Sequence, residues 1–216
     1  MADVIFWGAT GQAKVLYEAL LNTEYRIVAI FDNHEVVAPL PGIPLYIGSA
    51  AFGTWLTSRG IDDLLYFCTA IGGKYGHDRM AIHEHLCMNG LKPLTIKHRT
   101  AFIAIDAKLG QGCQILAQSA VCTHAQLGRS VIVNTAASID HDCFIGDGVH
   151  IGPGATLAGE VIVGPYSFIG AGAVVLPRLR IGEDAIVGAG AVVTKNVPIG
   201  AVVIGNPARQ IKMSPD

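Results

Sequence analysis

Aliphatic residues recur at every sixth position through the second half of the chain. Seventeen consecutive six-residue steps, the first at Ile103 and the last at Ile199, open on Ile, Leu or Val without an insertion. A small or aliphatic residue stands four positions into each step, as at Ala107. Neither a helical period of 3.6 nor a simple strand period of 2 keeps such a register over about a hundred residues. The spacing predicts a parallel β-helix over residues 101–216, with three steps in each triangular coil.

Residues 1–100 show another pattern, in which short buried runs alternate with segments of helical periodicity. The pattern predicts strands at residues 4–7, 26–31 and 64–68 and helices at residues 13–21, 50–59 and 77–89. Such alternation is typical of a small parallel βαβ sheet, which makes an α/β domain. Sheets of this kind bind ligands at the carboxyl ends of their strands.

Three short segments follow those strand ends, and each offers ligand-binding groups. The turn over residues 8–12 contains Gly8 and Gly11, which fall short of the full G-x-G-x-x-G dinucleotide motif. Its backbone N–H groups at a helix N-terminus suit a phosphate. Asp32 after the second strand offers a carboxylate to a ribose or a base, and Gly72 follows the third strand. Ordinary turn and capping roles explain the glycine turn and Asp32 about equally well.

Composition narrows the classes of partner. The 216 residues are 51% hydrophobic and 15% charged, which favours a well-buried fold over disorder. A net charge of −2 argues against nucleic acid or an anionic membrane as the main partner. No apolar run reaches the roughly 18 residues of a membrane span. The start of the chain lacks a signal-peptide layout, and five cysteines without paired spacing favour the cytoplasm.

The coil length determines which distant residues become neighbours. Residues 18 positions apart stack about 4.8 Å apart, so His141 lies beside Gly159 and on a column that reaches Lys195 roughly 14 Å away. A base at one end and a cation at the other suit a long thioester cofactor. The acetyl group would lie by His141, the pantetheine along residues 170–172, and the phosphates near Lys195 and Arg209.

His150 lies nine residues after His141, which is half a coil. The two histidines therefore belong to different parts of the triangle within one chain. They share a site only if His150 comes from a neighbouring subunit. This arrangement implies an oligomer with active sites at the subunit interfaces.

Two segments carry a resemblance to a known family. Residues 134–143 resemble the N-T-x-x-x-x-x-H-[DE]-C stretch of bacterial nucleotide-sugar N-acetyltransferases, and residues 204–209 resemble the G-N/V-P-A-K/R signature of hexapeptide acyltransferases. The resemblance, to the sialic-acid O-acetyltransferase and bacillosamine–perosamine acetyltransferase type, covers almost the whole chain. It implies a left-handed β-helix and a homotrimer. The implied reaction is acetyl transfer from acetyl-CoA to the C4 amine of a nucleotide-linked 4-amino-4,6-dideoxysugar.

The resemblance also implies roles for individual residues. His141 matches the catalytic base, Asp142 the carboxylate that raises its basicity, Gly159 the N–H that holds the acetyl carbonyl, and His150 a cofactor contact. The cofactor assignment also includes Ala171, Ala189, Lys195 and Arg209, and the substrate assignment comprises Thr10, Gly11, Gln12, Asp32, Asn33, Gly72 and Asn134; no metal is expected. One departure is Gln12, where the family pattern has a histidine.

The chemistry is consistent with these roles. An amine must lose a proton when it attacks a thioester, and a histidine with a pKa near 6.5 accepts one around neutral pH. A neighbouring carboxylate fixes the tautomer and stabilises the imidazolium. Because adjacent strand residues point in opposite directions, Asp142 assists His141 only if the pair lies at a coil corner. Asp140 is the alternative orienting residue.

Three other functions remain open from the sequence. A sugar O-acetyltransferase would use the same base and cofactor. A zinc enzyme on a left-handed β-helix needs a histidine spacing that His124, His141 and His150 match poorly. A trimeric scaffold that only binds a nucleotide sugar would not require a His–Asp pair next to a glycine.

Overall fold

The computed structural model describes residues 1–59 and 64–213, so the last three residues of the predicted second domain lie outside it. The N-terminal elements are strands β1 (Ala2–Trp7), β2 (Tyr25–Asp32), β3 (Leu45–Ile47), β4 (Leu65–Thr69) and β5 (Lys92–Pro93) and helices α1 (Gly11–Leu20), α2 (Gly48–Arg59) and α3 (Gly76–Met88). The later strands are β6 (Ile96–Lys97), β7 (Phe102–Ile103), β8 (Lys108–Leu109), β9 (Gln114–Ile115), β10 (Ala120–Val121), β11 (Gln126–Leu127), β12 (Ile132–Val133), β13 (Ser138–Ile139), β14 (Phe144–Ile145), β15 (His150–Ile151), β16 (Thr156–Leu157), β17 (Ile162–Val163), β18 (Phe168–Ile169), β19 (Val174–Val175), β20 (Arg180–Ile181), β21 (Ile186–Val187), β22 (Val192–Val193), β23 (Ala201–Ile204) and β24 (Arg209–Met213).

The N-terminal strands form one parallel sheet in the order β3-β2-β1-β4-β5. The three strands and three helices predicted from the pattern are confirmed within two residues at each end, whereas the short strands β3 and β5 were not predicted. Gly8 follows β1 with φ of +110°, and a Cβ there would collide with the carbonyl of Ala70 after β4. Glycine is thus required where the ends of two neighbouring strands come together.

The strands from β6 onward build a parallel β-helix with three sheets. Along each face a strand pairs with the strand one coil later, as Ala120 does with Ser138 and Ser138 with Thr156. The predicted spacing of 18 residues per coil is therefore confirmed by these pairings. The inward Ile, Val, Leu, Ala and Cys side chains form one buried core along the helix. This arrangement is consistent with the left-handed β-helix of the hexapeptide-repeat fold.

The last coil departs from the predicted register. Ile199, predicted to open the seventeenth step, is 66% exposed. Val197 and Val203 are buried instead and pair with Ile181 and Val187, which shortens the coil to 16 residues. Val197 and Ile199 are both aliphatic, so the repeat pattern did not show which of the two would be buried. Strand β24 then pairs antiparallel with β23 and covers that sheet edge, which limits edge-to-edge association.

The N-terminal sheet is fixed against one face of the β-helix. Outward residues of the coils, such as Leu116 and Ile132, share a buried cluster with Phe6 and Leu16. The guanidinium of Arg79 on α3 is fully buried and donates to the carbonyls of Ser130, Ile71, Tyr75 and Gly148. Burial lowers the pKa of Arg79 to about 10, so the side chain remains charged at neutral pH. Arg79 therefore joins the loop after β4 to two coil corners.

Candidate active site

His141 and Asp142 lie at a coil corner, between the sheet that contains β13 and the sheet that contains β14. Asp142 adopts a left-handed backbone conformation with φ of +58°. This conformation turns the two neighbouring side chains toward each other, and Nδ1 of His141 lies 2.9 Å from Oδ2 of Asp142. The geometric condition set from the sequence is met. With Nδ1 held by the carboxylate, Nε2 is the nitrogen free for proton transfer.

The surroundings favour the protonated form of His141. The hydrogen bond that the ring donates to Asp142 raises the pKa of His141 above its ordinary value of 6.5, and the charges of Asp140, Asp142 and Glu160 act in the same direction. Asp140 is not the partner of the ring, because its Oδ1 accepts the backbone N–H of His141 at 2.7 Å. His141 is about half-exposed, with 46% of its side chain accessible, so a substrate can reach it.

Gly159 lies directly beside the imidazole. A Cβ at Gly159 would collide with the edge of the ring, nearest to Nε2 of His141. The carbonyl of Gly159 accepts the N–H of Arg178, whereas its own N–H has no hydrogen-bond acceptor among residues 1–59 and 64–213. The corner therefore holds a proton acceptor and, on the next coil, a backbone N–H without an acceptor among those residues.

The column continues toward the C-terminal end of the β-helix. Lys195 and Arg209 are exposed and line one cavity of about 240 Å³, together with Asn196 and Ala208. The structure thus brings the two cations together at the end of the column that begins with His141. A cavity with two cations suits an anionic group such as a phosphate.

A second corner carries the other residues assigned to the cofactor. Ala171 and Ala189 are exposed at the corner that follows the sheet of β15, one coil apart, and the carbonyl of Ala171 accepts the N–H of Gly190. The structure does not bring them to the His141 corner of the same chain. Small side chains here leave the corner open to a ligand or a second chain.

His150 belongs to this second region and is 5% exposed. Its Nδ1 accepts the N–H of Gly73 at 2.8 Å, and its Nε2 lies 3.1 Å from the Asn134 carboxamide. Burial, aided by the charge of Arg79, lowers the pKa of His150 to about 3. The ring is therefore neutral, and because its Nδ1 accepts the N–H of Gly73, its proton is on Nε2. The carboxamide oxygen of Asn134 accepts the N–H of Thr135 at 2.8 Å.

The turn after β1 meets the same region. Thr10 and Gly11 are exposed at the start of α1, and Thr10 makes no side-chain capping bond. Gln12 lies against Gly72, beside His150, and its Nε2 donates to Oε1 of Gln114 at 2.7 Å. We name the space bounded by Gln12, Gly72, Asn134 and His150 the N-terminal cleft.

Asp32 has a structural role in this turn. Its Oδ2 accepts the N–H of Ala9 at 2.7 Å and its Oδ1 accepts the N–H of His34 at 3.0 Å. The carboxylate thus shapes the loop after β1, and each oxygen keeps a lone pair for a ligand. Asn33 is exposed beside it.

Two residues that complete the cleft were missed from the sequence. Gln114 on β9 bonds to Gln12, and Arg79 fixes the loop that holds His150. Gln114 lies at an outward position of its strand, where a polar residue is expected in any case. Its contact with Gln12 can be recognised only when the position of the N-terminal domain over this strand is known.

Two findings concern other classes of site. No group of three or more His, Cys, Asp or Glu side chains in the part of the chain that the structure describes is arranged to hold a metal ion. Within the same residues, no helix is both long and apolar enough to cross a membrane.

One family model and several solved structures match this chain. The family model named bacterial transferase hexapeptide (six repeats) matches residues 142–177 and 160–195. A search of curated protein sequences gives no match. Among solved structures, PerB from Caulobacter crescentus in complex with CoA and GDP-perosamine is 32% identical, with a TM-score of 0.89 and 98% of each chain covered.

Two further structures are similar over nearly their full length. The acetyltransferase domain of PglB from Neisseria gonorrhoeae, in complex with acetyl coenzyme A, is 32% identical with a TM-score of 0.84, covering 97% of this chain and 98% of that one. WeeI from Acinetobacter baumannii is 27% identical with a TM-score of 0.78, covering 98% of this chain and 100% of that one.

We predict that Gly159→Ala lowers the pKa of His141. The added methyl group would collide with the Nε2 edge of the ring, so the imidazole must rotate away and lose its hydrogen bond to Asp142. NMR titration of the His141 Cε1 proton measures this change. Gly53→Ala on α2, where a Cβ meets no atom within 4 Å, is the matched control. An unchanged His141 pKa in Gly159→Ala would contradict the arrangement.

Proposed function

Because the chain belongs to the bacterial nucleotide-sugar N-acetyltransferases of the hexapeptide-repeat family, it is an acyltransferase, and we propose that it transfers the acetyl group of acetyl-CoA to the C4 amine of a nucleotide-linked 4-amino-4,6-dideoxysugar. The observation that carries the proposal is the His141–Asp142 pair with Nε2 directed at Gly159. The complexes of the two 32% identical relatives, one with CoA and GDP-perosamine and one with acetyl coenzyme A, support the substrate classes.

The reaction proceeds by direct attack. The amine nitrogen forms a bond to the thioester carbonyl carbon while Nε2 of His141 takes a proton from the amine. The N–H of Gly159 donates to the developing oxyanion, a contribution of roughly 3 kcal/mol when such a donor is well placed. Collapse of the intermediate breaks the carbon–sulfur bond. The sulfur receives the proton from His141, which leaves an amide, a free thiol and a neutral histidine.

The cofactor follows the column from His141 toward the C-terminal end. The thioester lies by Gly159, and the cavity with Lys195 and Arg209 receives its phosphates. The small corner residues Ala171 and Ala189 face the pantetheine chain from a neighbouring copy. CoA chemistry here needs no metal, since the corner supplies both a base and an oxyanion donor.

The active form is a homotrimer. The base lies on one edge of the β-helix and the N-terminal cleft on another, so one chain holds two half-sites that do not face each other. A neighbouring copy that brings its His141 corner to the cleft completes the site. The nucleotide sugar then binds with its sugar in the cleft and its nucleotide along Thr10, Gly11, Asp32 and Asn33.

The reaction takes place in the cytoplasm in this proposal. The five cysteines are free thiols in the structure, and the environments of Cys68, Cys113 and Cys143 are buried. Free thiols persist in a reducing compartment.

We expect His141→Ala to lower kcat by about a thousandfold, in line with the loss of a general base. Its KM for acetyl-CoA and its oligomeric state should stay close to those of the wild type, because His141 is at the surface. Release of free thiol in the presence of a panel of nucleotide-linked 4-amino sugars measures the rate. His77→Ala, which breaks another His–Asp pair, is the control. Full activity of His141→Ala would exclude the assigned base, and transfer to a hydroxyl sugar alone would identify an O-acetyltransferase.

The pH dependence provides a separate prediction. The base must be neutral to accept a proton, so kcat/KM rises with pH through the pKa of His141, which lies above 6.5. Asp142→Asn removes the hydrogen bond that raises this pKa. The acid limb should therefore move to lower pH, while the maximal rate falls because the ring is less well oriented. An acid limb at the wild-type position in Asp142→Asn would show that another group titrates.

Subunit complementation tests the shared site. His141→Ala destroys one half-site, and Gly72→Leu fills the N-terminal cleft beside Gln12 and His150, so each variant alone should be inactive. Mixed trimers formed by co-refolding equal amounts should regain about a quarter of the wild-type activity, since random assembly pairs intact halves at one interface in four. A site within a single chain would give no recovery.

A further inference from the structure

A chain of amide hydrogen bonds runs from the end of β4 into the N-terminal cleft. The Nε2 of Gln114 donates to the carbonyl oxygen of Thr69 at 2.7 Å. The Oε1 of Gln114 in turn accepts from Nε2 of Gln12 at 2.7 Å. Thr69 and Gln114 are 2% and 1% exposed, so solvent does not reach the start of this chain.

The direction of this chain is fixed by its first member. A backbone carbonyl only accepts, so the Gln114 group that faces Thr69 must be its NH₂. The oxygen of Gln114 then faces Gln12, and the group of Gln12 that donates to it must be its NH₂. The O and NH₂ groups of a side-chain amide can ordinarily exchange places by rotation. In Gln114 or Gln12 such a rotation would bring two acceptors or two donors face to face. The bond to Gln114 uses one N–H of the Gln12 amide and therefore fixes Oε1 of Gln12 on the opposite side of the amide, toward the cleft.

That oxygen is placed to meet a ligand. Oε1 of Gln12 lies against Gly72, and Cε1 of His150 approaches the same glycine. Gln12 is partly exposed, and its Oε1 accepts no hydrogen bond from the residues that the structure describes. A fixed, unused acceptor thus stands at the wall of the cleft. Because Gln12 replaces the histidine of the family pattern, this polarity is a property of the present chain.

We propose that Gln12 determines specificity for the acceptor sugar, with its Oε1 taking a hydrogen bond from an O–H donor on the sugar ring. The inference rests on the proposed function and adds the polarity of one recognition contact. Gln114 is a positioning residue, since it touches Gln12 and not the ligand. Sugars that carry a donor at this place are accepted, and sugars with an acceptor or a methyl ether there are discriminated against.

Monodeoxyfluoro analogues of the nucleotide sugar test the contact, because fluorine does not donate. With the wild type, replacement of one ring hydroxyl should lower kcat/KM by about tenfold, the value of one ordinary hydrogen bond. In Gln12→Met the ratio of kcat/KM between the natural sugar and the analogue should fall to about one. The KM for acetyl-CoA should not change. Gln114→Met should give an intermediate discrimination, because the Gln12 amide is then free to turn. Gln111→Met, at an exposed corner, should keep the wild-type discrimination.

The outcomes separate this inference from the proposed function. Acetyl transfer with the same discrimination in wild type and Gln12→Met overturns the role of Gln12 alone, as does a wild type that accepts every analogue equally. Absence of both acetyl transfer and calorimetric binding of any 4-amino sugar by the wild type overturns the proposed function and this inference with it. Thermal unfolding and trimer mass of each variant show that a lost discrimination is not a lost fold.

Discussion

The ladder of backbone hydrogen bonds between successive coils is the constraint on which the rest of the structure depends. The N–H of Glu160 donates to the carbonyl of His141 at 2.9 Å, and the N–H of Asp140 donates to the carbonyl of Leu157 at 3.0 Å. Equivalent bonds repeat at every coil, and only inward side chains must be small or aliphatic to maintain them. Outward and corner positions are therefore free to carry chemistry, at a spacing that the ladder fixes.

The corner conformation is what allows two residues adjacent in sequence to act together. In an extended strand His141 and Asp142 would point to opposite faces. The left-handed turn at Asp142 brings the carboxylate to the ring, and the same corner position one coil later holds Glu160. Glu160 is paired with Arg178 at 2.9 Å. At this corner Asp142 is therefore available to His141, whereas Glu160 on the next coil already forms an ion pair with Arg178.

Arithmetic on the sequence predicts the parts of the molecule that repeat. The contact between His141 and Gly159 follows from 18 residues per coil. The three helices before residue 100, and the strands β1, β2 and β4, follow from the pattern of apolar residues. The short last coil was not predictable, because Val197 and Ile199 fit the pattern equally well. The contacts of Gln114 and Arg79 were not predictable either. They depend on how the N-terminal sheet lies against the β-helix, which no period along the chain encodes.

The environments of His141 and His150 differ in the way that their proposed roles require. A general base must take up and return a proton in every cycle, so it needs an environment in which both charge states are accessible. His141 has solvent on one side and a carboxylate that raises its pKa on the other. Burial, aided by the nearby charge of Arg79, keeps His150 neutral throughout the pH range in which proteins work. These two environments support the proposed role of His141 in proton transfer and leave His150 to form hydrogen bonds. Because the neutral ring lies at the cleft and the half-exposed histidine at the corner of another edge, the proposed reaction needs the corner of one copy to meet the cleft of another.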